Sequence, residues 1–245
     1  MILDEITTPG WEGALRRSRT VIVPFGSLEE HGPHLPLGTD TFQAVEVCRL
    51  AAERAGVHLA PAVPYGVCRS TRNHPGTVGL TTATLRAIAV DLVRDFHRHG
   101  MRNFLLVSGH AGKTHLLTLV DAGEQLIEEL SAIRVSVVSE YHEMMAAGRE
   151  IVETDDDSHA GEIETSRIMA LRPGLVDGTA PAEWPRFPHA LLVRDKVAHW
   201  PGGVWGDPGK ATPGKGRRLV ELAAARLVEL VRELETWPDG PAAPA

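Results

Sequence analysis

The chain has 245 residues, 43% of them hydrophobic, which is enough to bury one sizeable core. Its formal charge of -7 is spread along the sequence with no long run of Lys or Arg, which excludes the basic surface that nucleic acids and anionic membranes require. Small molecules or short peptides are the expected partners. The opening MILDEITTPGWEG carries acid where a secretory leader carries base, and no stretch approaches the roughly 18 apolar residues of a membrane span, so the expected location is the cytoplasm.

Apolar runs rich in β-branched residues alternate with segments of helical period, the rhythm of successive βα units and of a mostly parallel sheet. Residues 20–26, TVIVPFG, predict the first strand. Thr39 and Asp40 then open a helix with Phe42, Val45, Cys48 and Leu50 as its apolar positions. Residues 58–66 predict a second strand, and Thr82 to His99 a helix with Leu85, Ile88, Leu92 and Phe96 on one face. Residues 103–109 predict a third strand, nearly all apolar as buried parallel strands are. A helix over His115 to Leu130 and a strand over 133–141 follow, and then a helix from near Gly161 to Pro173. Residues 174–212 are rich in proline, hold Trp184, Trp200 and Trp205, and predict an irregular loop or lid. Gly214 to Leu234 predicts a long amphipathic helix with Leu219, Leu222, Leu227 and Leu230 inward, and residues 237–245 a frayed tail. The expected organisation is one domain over residues 1–236.

Cys48 lies in an apolar helical segment and Cys68 in a loop-like one, so neither a disulfide framework nor a cysteine zinc site is expected. Any metal would have to use His and carboxylates. Three polar clusters fall where strands end, the place at which open parallel sheets bind ligands. In the first, residues 26–40, Glu29 and His31 alternate and point to one side of an extended segment, and Asp40 can return its carboxylate to them and bridge two cations. Asp40 as a simple helix cap is the competing reading; His34 is expected to be solvated or to support a ligand. The second cluster, Ser108-Gly109-His110-Ala111-Gly112, sends His110 from a buried strand into a glycine-flanked turn, as a metal ligand or as a structural histidine. His115 is expected to be a supporting or surface residue. In the third, Asp155, Asp156 and Asp157 suit a helix N-terminus, but that reading leaves Glu164 and His159 unexplained. A metal ligand at Glu164 and an acid or base at His159 account for both.

These residues together resemble the creatininase (creatinine amidohydrolase) family over about 200 residues. Residues 26–36 match its signature Gly-Ser-x-Glu-x-His-Gly-x-His-Leu-Pro nearly position for position, and His159-Ala160-Gly161-Glu162-Ile163-Glu164-Thr165-Ser166 resembles a second signature. His74-Pro75-Gly76-Thr77 and the stretch from Gly206-Asp207-Pro208 to Ala211-Thr212 also resemble family blocks. The resemblance implies an αβα sandwich, a homohexamer and two divalent cations, and mixed His and carboxylate ligands admit zinc, manganese or iron. It implies that Glu29, Asp40 and His110 hold one metal, that His31, Asp40 and Glu164 hold the other, and that His159 transfers the proton.

The departures bear on substrate. Ala111 and Gly112 stand where true creatininases have an aromatic and a Glu, and no Trp occurs between Trp11 and Trp184, where the family's creatininases keep tryptophans that clamp the flat substrate. Arg69, Arg72 and Lys113 are expected instead to contact an anionic substrate, although an ordinary surface role for the arginines competes. The expected activity is hydrolysis of a C–N bond in a small amide, formamide or cyclic amide by a metal-activated water, with weak or no turnover of creatinine. The alternatives are a peptidase that trims a small precursor and a non-catalytic metal-binding scaffold on the same fold. A nucleotide-binding module lacks its glycine-rich fingerprint, and no base is paired with Cys68 for a cysteine hydrolase.

Overall fold

The computed structural model describes residues 1–238, so the expected tail beyond Pro238 lies outside the described residues. Four strands, β1 (Thr20–Phe25), β2 (His58–Leu59), β3 (Asn103–Ser108) and β4 (Arg134–Ser139), pair in parallel in the order β2-β1-β3-β4. Among the described residues seven α-helices accompany them: α1 (Gly10–Arg17), α2 (Thr39–Ala55), α3 (Thr82–Arg98), α4 (Lys113–Glu129), α5 (Glu140–Gly148), α6 (Glu162–Leu171) and α7 (Pro213–Thr236).

Alternation along the central strands places the helices on both faces. Val21, Val23 and Phe25 of β1 and Phe104 and Leu106 of β3 meet Leu85, Ala89 and Val93 of α3 and Leu119, Ala122 and Leu126 of α4. The intervening Ile22, Leu105 and Val107 meet Val47 and Ala51 of α2, Met144 of α5 and Leu219, Ala223 and Leu227 of α7. The result is the expected αβα sandwich. Each large side chain buried this way contributes about 1.5–3 kcal/mol. Both central strands are buried along their whole length, which is why their sequence runs apolar rather than alternating.

Two boundaries differ from expectation for local reasons. The strand expected over 58–66 contracts to His58–Leu59, because Pro61 and Pro64 have no N–H to donate to a ladder. The chain still follows β1: Ala60 N donates to Ile22 O, Val63 N to Pro24 O and Gly26 N to Val63 O, each at 2.9 Å. The strand expected to reach residue 141 stops at Ser139, where α5 begins without a loop. Neither α5 nor α1 was legible, the latter because Gly10 and Gly13 weaken its helical signal.

Residues 174–212 are irregular apart from short 3-10 turns, yet they pack onto the body: Trp200 is 2% exposed and Val204 1%. Antiparallel bridges join Glu183 to Gly206 and His159 to Trp205. No helix among the described residues is long and apolar enough to cross a membrane.

Helix α6, which begins beside the site described below, is held by α7. Thr212 caps α7 by accepting from Lys215 N, with Pro213 at its first position. One turn on, Gly216 lies so close to α6 that a Cβ there would sit 1.9 Å from Ser166 O. Gly216→Ala is therefore expected to cost about 1–3 kcal/mol, as overpacking does. A melting curve superimposable on wild type would show that the two helices can separate without cost.

Candidate metal centre

The site lies beyond the carboxyl ends of β1 and β3. Glu29 and His31 follow β1, His110 follows β3, and Asp40 and Glu164 stand in the first turns of α2 and α6. All five are buried. The two oxygens of Asp40 face different histidines. His110 Nδ1 is 3.1 Å from Asp40 Oδ2 and 2.7 Å from Glu29 Oε1. His31 Nε2 is 3.1 Å from Asp40 Oδ1 and 3.5 Å from Glu164 Oε2.

The opposite ring nitrogens are occupied. His31 Nδ1 lies 3.1 Å from Glu29 O and His110 Nε2 lies 3.3 Å from Val67 O. A carbonyl only accepts, so those nitrogens carry the hydrogens and the neutral rings turn lone pairs toward carboxylate oxygens. Two acceptors face each other stably only with a proton or a cation between them. Burial disfavours the charged ring of His31, but Asp40 and Glu164 outweigh it and push its pKa up to about 10. His110 is likewise raised well above its ordinary value: burial opposes, and Glu29 and Asp40 prevail. The donor atoms of His31, Asp40 and Glu164 all lie within 4.8 Å of one another. Three buried carboxylates with two imidazole lone pairs form a donor set that fits divalent cations of the zinc, manganese or iron type.

A second ring of residues fixes these donors. Ser27 Oγ donates to Asp40 Oδ2 at 2.6 Å, Thr71 Oγ1 donates to Glu29 Oε2, and Gln43 Nε2 reaches Glu164 Oε1 at 3.4 Å. Ala160 N donates to Glu164 Oε2 at 2.7 Å. Sequence reasoning missed Ser27, Thr71 and Gln43 as partners; only Ser27, inside the first signature, had a local signal.

His159 stacks on His31 with ring centroids 4.2 Å apart. Its Nε2 is 2.8 Å from Glu30 O and 3.4 Å from Glu30 Oε1, and its Nδ1 is 3.9 Å from Glu164 Oε2. Burial and the neighbouring His31 disfavour its charged form, yet Glu30 and Glu164 raise its pKa overall.

A cavity of about 300 Å³ opens above this floor, lined by Glu29, Asp40, His110, His159 and Glu164. Trp200 and Trp205 also line it, and Trp200 meets the His159 ring edge-on with centroids 5.2 Å apart. The segment before His159 has no tryptophan, as the sequence shows, but two from the loop after it line the cavity. Arg69 and Lys113, both exposed, lie on the lining. Arg72 does not; it lies in an adjoining cleft with Cys68, Arg69 and Thr81.

His34 and His115 are buried rather than solvated. His34 Nε2 lies 2.8 Å from Thr165 Oγ1, and Val67 N donates to His115 Nδ1 at 3.1 Å.

The creatininase family model, described as creatinine amidohydrolase, matches residues 4–231. The chain belongs to the creatininase family. It is 28% identical to a creatinine amidohydrolase of Pseudomonas putida over 95% of this chain and 96% of that one. It is 33% identical to a mycofactocin precursor peptide peptidase of Mycolicibacterium smegmatis, over 81% of this chain and 78% of the relative. A solved mutant creatininase of the Zn-Zn type superposes with a TM-score of 0.87 at 26% identity, covering 97% and 98% of the two chains. The chain is thus a creatininase-family hydrolase of α/β fold.

Burial holds the pKa of His34 down to about 4, with His31 and His159 adding to it, and that of His115 down to about 3, with His110 adding. Both groups take up protons near pH 6.5 once the chain unfolds. Their depressed folded values contribute stability that is complete above about pH 6.5 and is lost as pH falls toward 4. In urea unfolding these two histidines should draw stability down between pH 6.5 and 4.5, opposed in part by Asp157, whose carboxyl burial pushes up to about 7. His115→Gln should lower the slope of stability against pH there by about one proton; an unchanged slope would remove His115 from the account.

Proposed function

We propose that this chain is a metal-dependent amidohydrolase that cleaves a C–N bond of a small amide or formamide carrying an anionic group. The observation that carries the reading is the division of Asp40, with Oδ2 beside His110 and Glu29 and Oδ1 beside His31 and Glu164. Glu29, Asp40 and His110 would hold one divalent cation, and His31, Asp40 and Glu164 the other. Cations bound there would supply Lewis acidity, sharpening a water nucleophile and the carbonyl it attacks.

The chain's own residues do the rest. His159 is tethered through Nε2 to Glu30 O, so that its Nδ1 is the nitrogen turned toward the carboxylate cluster. There it can take the proton released by water and deliver it to the departing nitrogen, which leaves as an amine only when protonated. Trp200 and Trp205 exclude water from one side, and Arg69 and Lys113 at the lining attract an anion. A carboxylate terminus satisfies the same cations, so a short peptide is the second reading, favoured by the 33% identity to a precursor peptidase. The segment 174–212, which carries both tryptophans, would act as the lid.

Asp40→Asn is expected to lose most bound metal and essentially all activity, since one carboxylate serves both positions. Two equivalents of metal retained per chain by elemental analysis would refute the shared role. His159→Ala should keep its metal while turnover falls roughly 10²- to 10⁴-fold, the usual worth of an acid-base group. An unchanged rate would point to another proton carrier, and full metal retention with no activity toward any amide in either protein would favour the scaffold reading. Arg69→Ala should raise KM for an anionic formamide with kcat and metal content little changed. Efficient turnover of neutral creatinine, unaffected by that substitution, would overturn the anionic preference.

A further inference from the structure

Cys68 plays no part in the chemistry above, yet its side chain borders the metal cluster. Its Sγ, a carboxylate oxygen of Glu29 and a ring nitrogen of His110 all lie within 4.8 Å of one another, and all three residues are buried. That spacing is compatible with donors around a single ion, for which metal–sulfur contacts are about 2.3 Å and metal–nitrogen contacts about 2.0–2.1 Å.

The backbone carrying the thiol is built into the same cluster. Val67 O holds His110 Nε2 at 3.3 Å, Val67 N donates to His115 Nδ1 at 3.1 Å, and Thr71 Oγ1 donates to Glu29 Oε2. The segment that orients His110 and Glu29 therefore also fixes where the sulfur sits. The thiol's own hydrogen bond, to Gly66 O at 3.7 Å, is long. Burial, Glu29 and Asp40 all disfavour a free thiolate, which argues against Cys68 as an unaided nucleophile.

We propose that Cys68 is a sulfur donor to the cation held by Glu29, Asp40 and His110, so that this position prefers zinc. The inference rests on the metal-centre reading under Proposed function. On binding, the sulfur lone pair forms the bond to the cation, the S–H bond breaks and its proton passes to solvent. A thiolate favours zinc over manganese, whereas the oxygen-rich set of His31, Asp40 and Glu164 has no sulfur and admits harder ions. The two positions then differ in metal preference, and the expectation that any metal would use His and carboxylates alone is incomplete.

Cobalt(II) loading of the full-length protein tests this. Wild type should show a sulfur-to-cobalt charge-transfer band in the near ultraviolet beside the visible cobalt bands. Cys68→Ser should keep the visible bands, lose the charge-transfer band, and lose at least roughly tenfold in its preference for zinc over manganese at one of two sites. Visible cobalt bands in wild type without the sulfur band would overturn the role of Cys68 while leaving the metal centre standing. Failure of wild type to bind cobalt or zinc would bring down the metal-centre reading, and the proposal with it. Because the decisive band is read in wild type, an unstable variant does not blunt the test.

Discussion

The Asp40 carboxylate meets one histidine with each of its oxygens, at 3.1 Å in both cases, and is itself almost wholly buried at the floor of the cavity. Negative charge at that depth is tolerable only with partners, and the hydrogen bond from Ser27 Oγ is not sufficient for three carboxylates. The rest of the molecule is arranged so that other partners converge: the strand ends bring Glu29, His31 and His110, and the helix starts bring Asp40 and Glu164. Helix N-termini are favourable places for the last two, since the positive end of the helix dipole favours a carboxylate.

Rigidity at the floor of the site follows from layers of contacts outside it. Arg167 on α6 forms a buried double contact with Glu140 at the start of α5, both at 2.7 Å, and Gly216 lets α7 lie against the same helix. Glu164 is therefore held by a helix pinned on two sides. Asp157 caps that helix by accepting from Glu162 N at 2.7 Å and Ile163 N at 3.1 Å. The aspartate run legible as a capping signal in the sequence does cap α6, through the one member nearest the helix, while His159 stands apart from that role.

The strands and long helices were legible because burial on both sheet faces leaves a continuous apolar run, and burial of one helix face leaves a 3.6-residue period. Glu29, His31 and His110 were legible because they sit in short segments immediately after strands, where sequence neighbours are also neighbours in space, and Glu164, well past β4 in the first turn of α6, because a capping role left it unexplained. What was not legible depends on contacts between distant segments. Thr71 reaches Glu29 across 42 positions and Gln43 reaches Glu164 across 121, and no local pattern announces either. Trp200 and Trp205 were visible only as members of an irregular stretch, and their arrival beside His159 depends on how that stretch folds back. Arg72, three residues from Arg69 and chemically identical, turns into the neighbouring cleft, because residue spacing in a loop does not fix direction.

The pairing of His159 with Trp205 is made by main-chain groups alone: Trp205 N donates to His159 O at 2.7 Å and His159 N to Trp205 O at 3.2 Å. Main-chain pairing is indifferent to the side chain it carries. The indole is tied separately, through Nε1 donating to Asp156 Oδ2 at 3.0 Å and an edge-on contact with Trp200, so a smaller group at position 205 would give up those contacts while the histidine beside it kept its backbone anchor. The wall of the cavity can therefore change from the late loop alone, without moving the earlier segments that form its floor.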